Sequence, residues 1–191
     1  MSNTLPLRPT LWRTCRVLAN RTRLDMLRLL FRKPGLTVSG VAQLLELSMP
    51  LTSLYLRALE ARGLLSAHRK GRWVHYRLPS VETHGPAAAL VAALRQEFQH
   101  GRCSTEAIFK LGTAFTHPRR IEIFRALQPQ PLSFIQLQAA TRLGGRALQR
   151  HLRKLHQRGF VRRQRKGFYA AVTLGGNEAA LGRALAILAT E

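Results

Sequence analysis

The sequence predicts a mainly α-helical chain with small β-hairpins, built from two tandem copies of one module. Three observations predict this fold class. The chain repeats itself, each copy shows helical periodicity followed by a short pair of strands, and each copy carries the same excess of positive charge. A chain of 191 residues is long enough for two domains of about 95 residues each. We therefore expect a first module at residues 1–101 and a second at residues 102–191.

The clearest repeat joins residues 56–78 to residues 152–174. The two segments read LRALEARGLLSAHRKGRWVHYRL and LRKLHQRGFVRRQRKGFYAAVTL, and nine of the 23 aligned residues are identical. Upstream, LANRTRLDMLRLL at 18–30 matches FTHPRRIEIFRAL at 115–127, with the offset changed by one residue. Two long matches in the same order indicate duplicated modules.

The first two helices of each module are marked by apolar residues at helical spacing. In the second module, Pro118 favours the start of a helix, because the N–H that proline lacks has no partner at that position. We expect the first helix at 11–19 and again at 104–115. The second helix contains residues 24–31 and, in the copy, residues 121–127.

The third and fourth helices follow a break that contains proline in both modules. Thr37 and Ser133 are predicted N-caps of a third helix, at 38–45 and 134–140. A short turn leads to a fourth helix at about 50–62 and about 146–158. Gly63 and Gly159 are expected to end it in the left-handed conformation, which glycine adopts without strain.

A basic hairpin completes the pattern of each module. In the first module we expect strands at 64–69 and 72–78 around a turn at Lys70 and Gly71. Closing helices are expected at 87–99 and 177–190. Two helices joined by a short turn and followed by a basic hairpin make a winged helix-turn-helix, so the fourth helix is the recognition helix and the hairpin is the wing.

The charge of the chain indicates a polyanionic partner. Lys and Arg number 31 against 9 Asp and Glu, which gives a net charge of +22 and an isoelectric point near 11.9. Residues 1–95 hold 15 of these cations and 4 acids, and residues 96–191 hold 16 and 5. Of the 31 cations 26 are arginine, the residue that forks phosphate and guanine. We therefore expect double-stranded DNA as the partner.

The sequence shows no signal-peptide core, and its longest apolar stretch, residues 86–94, is too short to span a bilayer. We expect a cytoplasmic, nucleoid-associated protein that does not enter a membrane. Its two cysteines, Cys15 and Cys103, make no disulfide framework.

The stretches LANRTRLDMLRLL, SMPLTSLYLRALEARGLL and RKGRWVHYRL resemble the second helix, recognition helix and wing of the ArsR/SmtB family of bacterial winged-helix regulators. FTHPRRIEIFRAL and LQRHLRKLHQRGFV resemble the same parts in the second half. The resemblance implies a transcriptional regulator, usually a repressor, whose first and last helices form a dimer interface. Family members normally carry one module and form homodimers. This tandem chain is expected to pair its two modules as an intrachain pseudo-dimer, with a homodimer of four modules as the alternative.

Helical spacing predicts which side chains face DNA. If Leu148, Leu152 and Leu155 are buried, the opposite face of the second recognition helix carries three arginines and a glutamine that suit guanine and adenine edges. The matching face of the first module has one charge, and we expect its Leu54 to pack against a neighbour. The predicted DNA-contacting residues are Thr52, Ser53, Tyr55, Arg57, Arg69, Lys70, Arg72, Arg146, Gln149, Arg150, His151, Arg153, Arg165 and Lys166.

This difference predicts asymmetric binding, in which the second module makes most base contacts and the first mainly contacts phosphates. His68 and Arg77 belong to the same basic strip as the first wing, and Arg162 and Arg163 to that of the second.

No cofactor or metal is expected. The third helices lack the cysteines through which many relatives sense metals, and the candidate ligands around the first closing helix do not reproduce the family's spacing. Cys15 is expected in the core. We expect no enzymatic activity, because acids are few and scattered and no nucleotide-binding fingerprint occurs. His117 and His151 occupy positions at which the family has polar residues. The candidate ligands are Glu82, His84, Glu97, His100 and Cys103.

Two other functions stay open at this point. A nucleoid-type or RNA-binding protein would read charge and shape with little sequence preference. A protein-interaction module could retain the same fold, although such a module has little use for two basic wings.

Overall fold

The computed structural model describes residues 10–79, 86–100, 104–172 and 180–190. The described residues are mostly helical, with two small antiparallel sheets. The predicted fold class is confirmed. The predicted boundary between residues 101 and 102 lies outside the described residues and stays a prediction.

The first half follows the expected order with one additional strand. Its elements are α1 (Leu11–Leu18), α2 (Arg21–Arg32), β1 (Leu36–Thr37), α3 (Val38–Leu44), α4 (Met49–Glu60), β2 (Ser66–Lys70), β3 (Trp73–Arg77) and α5 (Pro86–His100).

The second half repeats this order with a shorter wing. Its elements are α6 (Thr105–Gly112), α7 (Pro118–Ala126), α8 (Phe134–Thr141), α9 (Gly145–Gln157), β4 (Val161–Arg163), β5 (Tyr169–Ala171) and α10 (Ala180–Thr190).

Helix ends are fixed by the local residues that the sequence indicated. Thr37 accepts a hydrogen bond from the Gly40 N–H at 3.2 Å, and Ser133 exchanges hydrogen bonds with Gln136 in a capping box. Gly63 and Gly159 follow α4 and α9 with φ angles of 67° and 81°, which lie in the left-handed region.

The first wing is a three-stranded sheet in the order β1-β3-β2. The two residues of β1 pair with Tyr76 and His75, a contact that the sequence did not predict. The expected turn at Lys70 and Gly71 is wrong by one residue, because Lys70 pairs with Trp73 and the loop is Gly71-Arg72. Gly71 has a φ of 60°, and a glycine with positive φ suits the first position of a two-residue loop.

The second wing is shorter than its copy. Its last strand pair joins Arg163 to Tyr169, and a 3-10 turn at residues 165–167 forms the tip. Lys166 has a φ of 62°, a conformation that carries strain in a residue with a side chain. The tip therefore presents its cations from a bent loop rather than from a regular hairpin.

The two halves share one apolar core. The first helices α1 and α6 pack together, and the last helices α5 and α10 pack along each other. Glu97 of α5 is buried and accepts the Leu181 N–H of α10 at 3.2 Å. At the surface, Arg21 forms an ion pair of 2.7 Å with Glu106. The contacts between halves thus include both pairs of equivalent helices, together with contacts of α2 with α6, within one chain.

Candidate nucleic-acid interface

The second recognition helix, α9, has one apolar and one polar face. Leu148, Leu152 and Leu155 are buried. The side chains on the opposite face follow one another at a spacing of three or four residues, so they lie together on the solvent side of the helix. The exposed residues are Arg146, Gln149, Arg150 and Arg153.

His151 does not belong to this exposed face, and the expectation that it contacts DNA from there is corrected. It follows Leu148 by three residues and precedes Leu152 by one, so it turns toward the core and is only 7% exposed. Its ring lies against that of His117, with 4.7 Å between centroids and an angle of 39° between the ring planes. Burial, together with the charges around it, lowers the pKa of His151 to about 4, so the imidazole is neutral at pH 7.

Thr52 of the first recognition helix, α4, is also corrected. It is fully buried beside Leu56 and Leu59, and its hydroxyl donates to the Ser48 carbonyl at 2.9 Å. A hydroxyl that bonds its own helix in the core cannot contact a base.

The other predicted residues of α4 stand at its surface. Ser53 and Tyr55 are half-buried and Arg57 is exposed. The Arg23 guanidinium lies 5.1 Å from the Tyr55 ring centroid, and the Arg57 Nε donates to the Ser53 carbonyl at 3.3 Å. These contacts hold the polar groups of α4 close to its own surface.

Leu54 does not pack against a neighbour as expected. It is 56% exposed, because it lies two residues from the buried Thr52 and Leu56, on the outer side of the helix. Met49 and Leu44 are also about half exposed. The outer surface of α4 is therefore partly apolar, whereas that of α9 is cationic.

Both wings place cations in solvent. Arg72 lies over the Trp73 ring, with 5.1 Å from the guanidinium carbon to the ring centroid. The exposed wing residues are His68, Arg69, Lys70, Arg72 and Arg77 in the first module and Arg162, Arg163, Arg165 and Lys166 in the second.

Few acids offset this charge. Two ion pairs occur in the described ranges, Arg21 with Glu106 and Arg119 with Glu122. The arginines of the exposed α9 face and the wing cations belong to neither pair. They present a positive potential on the side where α9 and its wing lie.

Of the candidate metal ligands, Glu97 is the one whose side chain the structure describes. Glu97 is buried and bonds the start of α10, whereas Glu82, His84, Cys103 and the side chain of His100 lie outside the described residues. Among the residues that are described, no three His, Cys, Asp or Glu side chains come together as a metal site. Cys15 is a buried free thiol, and burial raises its pKa to about 12.

Arg120 is a residue that the sequence analysis missed. It is 8% exposed, and its Nε has no hydrogen-bond partner among the described residues. The repeat held a signal for it, since Arg23 and Arg120 occupy equivalent positions in the aligned second helices.

None of the described helices combines the length and apolarity that crossing a bilayer requires.

Comparison with known proteins places both halves in one family. The family model described as "Bacterial regulatory protein, arsR family" matches residues 20–67 and residues 117–163. These two segments contain α2 to α4 and α7 to α9, together with the start of each wing.

Two curated relatives resemble one part of the chain. The arsenic resistance transcriptional regulator ArsR1 of Pseudomonas putida is 44% identical over 61 residues, which are 32% of this chain and 48% of that protein. The arsenical resistance operon repressor of Escherichia coli K12 is 39% identical over 74 residues, which are 39% of this chain and 61% of that protein. The chain thus spans about half to three fifths of the length of these relatives. With a family match in each half, the chain belongs to the arsR family of bacterial regulatory proteins and contains two of the family's modules in tandem.

Proposed function

We propose that this chain is a sequence-specific, double-stranded-DNA-binding transcriptional regulator of the repressor type, associated with the nucleoid in the cytoplasm. The exposed face of α9 carries the proposal. This face carries three arginines and one glutamine at i, i+3, i+4 and i+7. Arginine donates to O6 and N7 of guanine, and glutamine donates to N7 of adenine and accepts from its N6 amino group. The names of the curated relatives support a regulatory role, and membership of a regulatory family confirms that the chain is not an enzyme.

One chain supplies both recognition helices in this proposal. The pairing of α1 with α6 and of α5 with α10 supports an intrachain pseudo-dimer, because these contacts join the modules through one core. A paired arrangement of this kind spaces two recognition helices by about one turn of DNA, roughly 34–36 Å. A homodimer of two chains would instead bring four modules to DNA.

The two modules divide the contacts. The cationic α9 reads base edges. The outer surface of α4 is partly apolar, so the first module contacts phosphates mainly through its wing. The residues that remain in the proposed DNA interface are Ser53, Tyr55, Arg57, Arg69, Lys70, Arg72, Arg146, Gln149, Arg150, Arg153, Arg165 and Lys166.

Selection of bound sites from a random duplex pool, at near-physiological salt, tests the function. We expect a recovered motif with two unequal half-sites and a complex that holds one chain per site by sedimentation. A complex with two chains per site would favour the homodimer. A pool without a motif, with random and selected duplexes bound within about tenfold of each other, would favour the nucleoid-type or RNA-binding alternative.

Arg150→Ala and Arg69→Ala make a matched pair of variants, since each removes one exposed arginine. Arg150→Ala should relax the preference at one position of the motif by about 1–3 kcal/mol. Arg69→Ala should weaken binding to all duplexes alike and reduce the salt dependence by about one phosphate contact. Identical effects of the two variants on a panel of duplexes would contradict the division of contacts.

A further inference from the structure

A cationic cavity lies between the start of α7 and the recognition helix α9. Its volume is about 350 Å³. The side chains that line it are nitrogen donors, and none of the lining residues carries a carboxylate. They include His117, Arg120, Arg150, His151, Arg153 and Lys154.

Arg120 is the buried member of this lining. One of its terminal nitrogens donates to the Thr116 hydroxyl, while its Nε is buried without a hydrogen-bond partner among the described residues. A buried N–H of a charged group is costly when it is unpaired. A planar guanidinium can donate two parallel hydrogen bonds to the oxygens of a phosphate group.

Both imidazoles beside Arg120 experience positive charge from several elements. Burial lowers the pKa of both His117 and His151, and neighbouring charges lower it further. These charges are arginines for His117, and His117 followed by arginines for His151. Arg119 and Arg120 of α7 and Arg150 of α9 act on both rings, and Arg16 of α1 also acts on His117. The charges that act on the two rings are therefore all positive.

The imidazole of His117 can also donate to a ligand. Its Nδ1 accepts the Arg119 N–H at 3.1 Å, so in the neutral ring the proton resides on Nε2. The start of α7 adds the positive end of a helix dipole, which favours an anion nearby.

The first module does not reproduce this arrangement. The aligned residues are Asn20 for His117, Arg23 for Arg120 and Tyr55 for His151. Leu54 and Ala58 stand where Arg150 and Lys154 stand in the copy. Two of the four cations are thus replaced, and the Tyr55 ring lies against Arg23. The cationic lining of the cavity is therefore specific to the second module.

We propose that this cavity binds a tetrahedral oxyanion, a phosphate group, taken either from the DNA backbone or as free inorganic phosphate. The first source rests on the proposed function, because α9 must then lie in the groove beside the bound phosphate. The second source does not depend on DNA binding.

The double variant His117→Asn/Lys154→Ala tests the site. Both new residues are those of the first module, and asparagine is an effective N-cap, so the fold of α7 and α9 is retained. Lys33→Gln is the control, since it removes one exposed charge outside the cavity.

The first experiment titrates the His151 imidazole by NMR in chloride and in inorganic phosphate at equal ionic strength. In the native chain and in Lys33→Gln, bound phosphate should raise the pKa of His151 from about 4 by about one unit, because a nearby anion favours the charged imidazole. The double variant should lose most of this shift.

The second experiment replaces single backbone phosphates of the selected DNA site by neutral methylphosphonate. The native chain should lose about tenfold in affinity at one position beside the second half-site, the effect of one charge-assisted contact. The double variant should be insensitive at that position only.

The outcomes separate the two sources and the two proposals. A phosphate-dependent shift without a sensitive DNA position assigns the cavity to free phosphate, and the reverse result assigns it to the DNA backbone. If neither experiment responds while a DNA motif is recovered, the oxyanion site is overturned and the regulator stands. If no motif is recovered but the phosphate-dependent pKa shift persists, the proposed regulatory function is rejected and the oxyanion site is retained.

Discussion

A substitution in the second module should destabilise the first, because the two modules share one core. Leu185 of α10 is fully buried, and α10 packs along α5 of the first module. Leu185→Ala removes three side-chain carbon atoms from this contact. For fully buried leucines, the loss of transfer free energy together with the cavity left behind costs about 2–5 kcal/mol.

Native-state hydrogen exchange measures this effect in both modules at once. The informative amides are those of Leu56 and Leu59 in α4 and of Leu152 and Leu155 in α9, all of them buried residues. If unfolding is global, every slow amide should exchange about 30- to 5000-fold faster, which corresponds to the same 2–5 kcal/mol. Urea unfolding followed by circular dichroism should keep a single transition with a lower midpoint.

Ile135→Ala is the matched control. Ile135 lies in α8 of the second module and is 78% exposed, so its truncation should change stability by less than about 0.5 kcal/mol. Unchanged exchange in α4 combined with faster exchange in α9 after Leu185→Ala would refute the shared core.

Three further predictions concern local features. Gly63→Ala should destabilise the protein more than Gly159→Ala in urea unfolding. Both glycines have positive φ, but an added Cβ at Gly63 lies 3.2 Å from the Ala87 side chain, whereas the space at Gly159 is open. We expect a loss of about 1 kcal/mol for Gly159→Ala and a larger loss for Gly63→Ala. Ser133→Ala removes the capping box of α8 and should cost about 1 kcal/mol by the same measurement. Ser48→Ala is the comparison, because Ser48 is the N-cap residue of α4 but its side chain makes no capping hydrogen bond. Acidification from the ordinary His pKa of 6.5 to about 4 should lower stability, because unfolded His151 binds a proton that the folded ring does not. The part of this loss due to His151 should approach about 2–3 kcal/mol. His151→Tyr, with the residue of the first module, should remove that part from urea transitions at pH 7 and 4.5, while the part due to His117, whose pKa is also lowered, remains.

Features that depend on a few neighbouring residues were predictable from the sequence. The caps Thr37 and Ser133 and the left-handed glycines act through bonds that span three or four residues, so their spacing specifies them. Helix bounds agree within a few residues for the same reason. The repeat added the order of elements, because a duplicated pattern must fold twice in the same way.

Features that depend on packing were not predictable to the same degree. Periodicity defines an apolar stripe but leaves the rotation of the helix to the elements that cover it. At the edges of that stripe, Thr52 and His151 turned inward and Leu54 turned outward. The strand β1 is too short to show a pattern, and the burial of Arg120 follows from how α7 meets α9 rather than from its own segment.

Covalent duplication explains why the two modules differ where a symmetric dimer could not. In a twofold homodimer each interface contact occurs twice and both recognition helices are identical. Here Arg21 pairs with Glu106 and lies over the Phe109 ring, whereas the position equivalent to Arg21 is Pro118, which has no charge to pair. The contact that Arg21 makes with the second module therefore has no equivalent from the second module to the first. Since the halves need not be interchangeable, Leu54 and Arg150 can occupy equivalent positions with different surfaces, and one module can carry most of the base recognition.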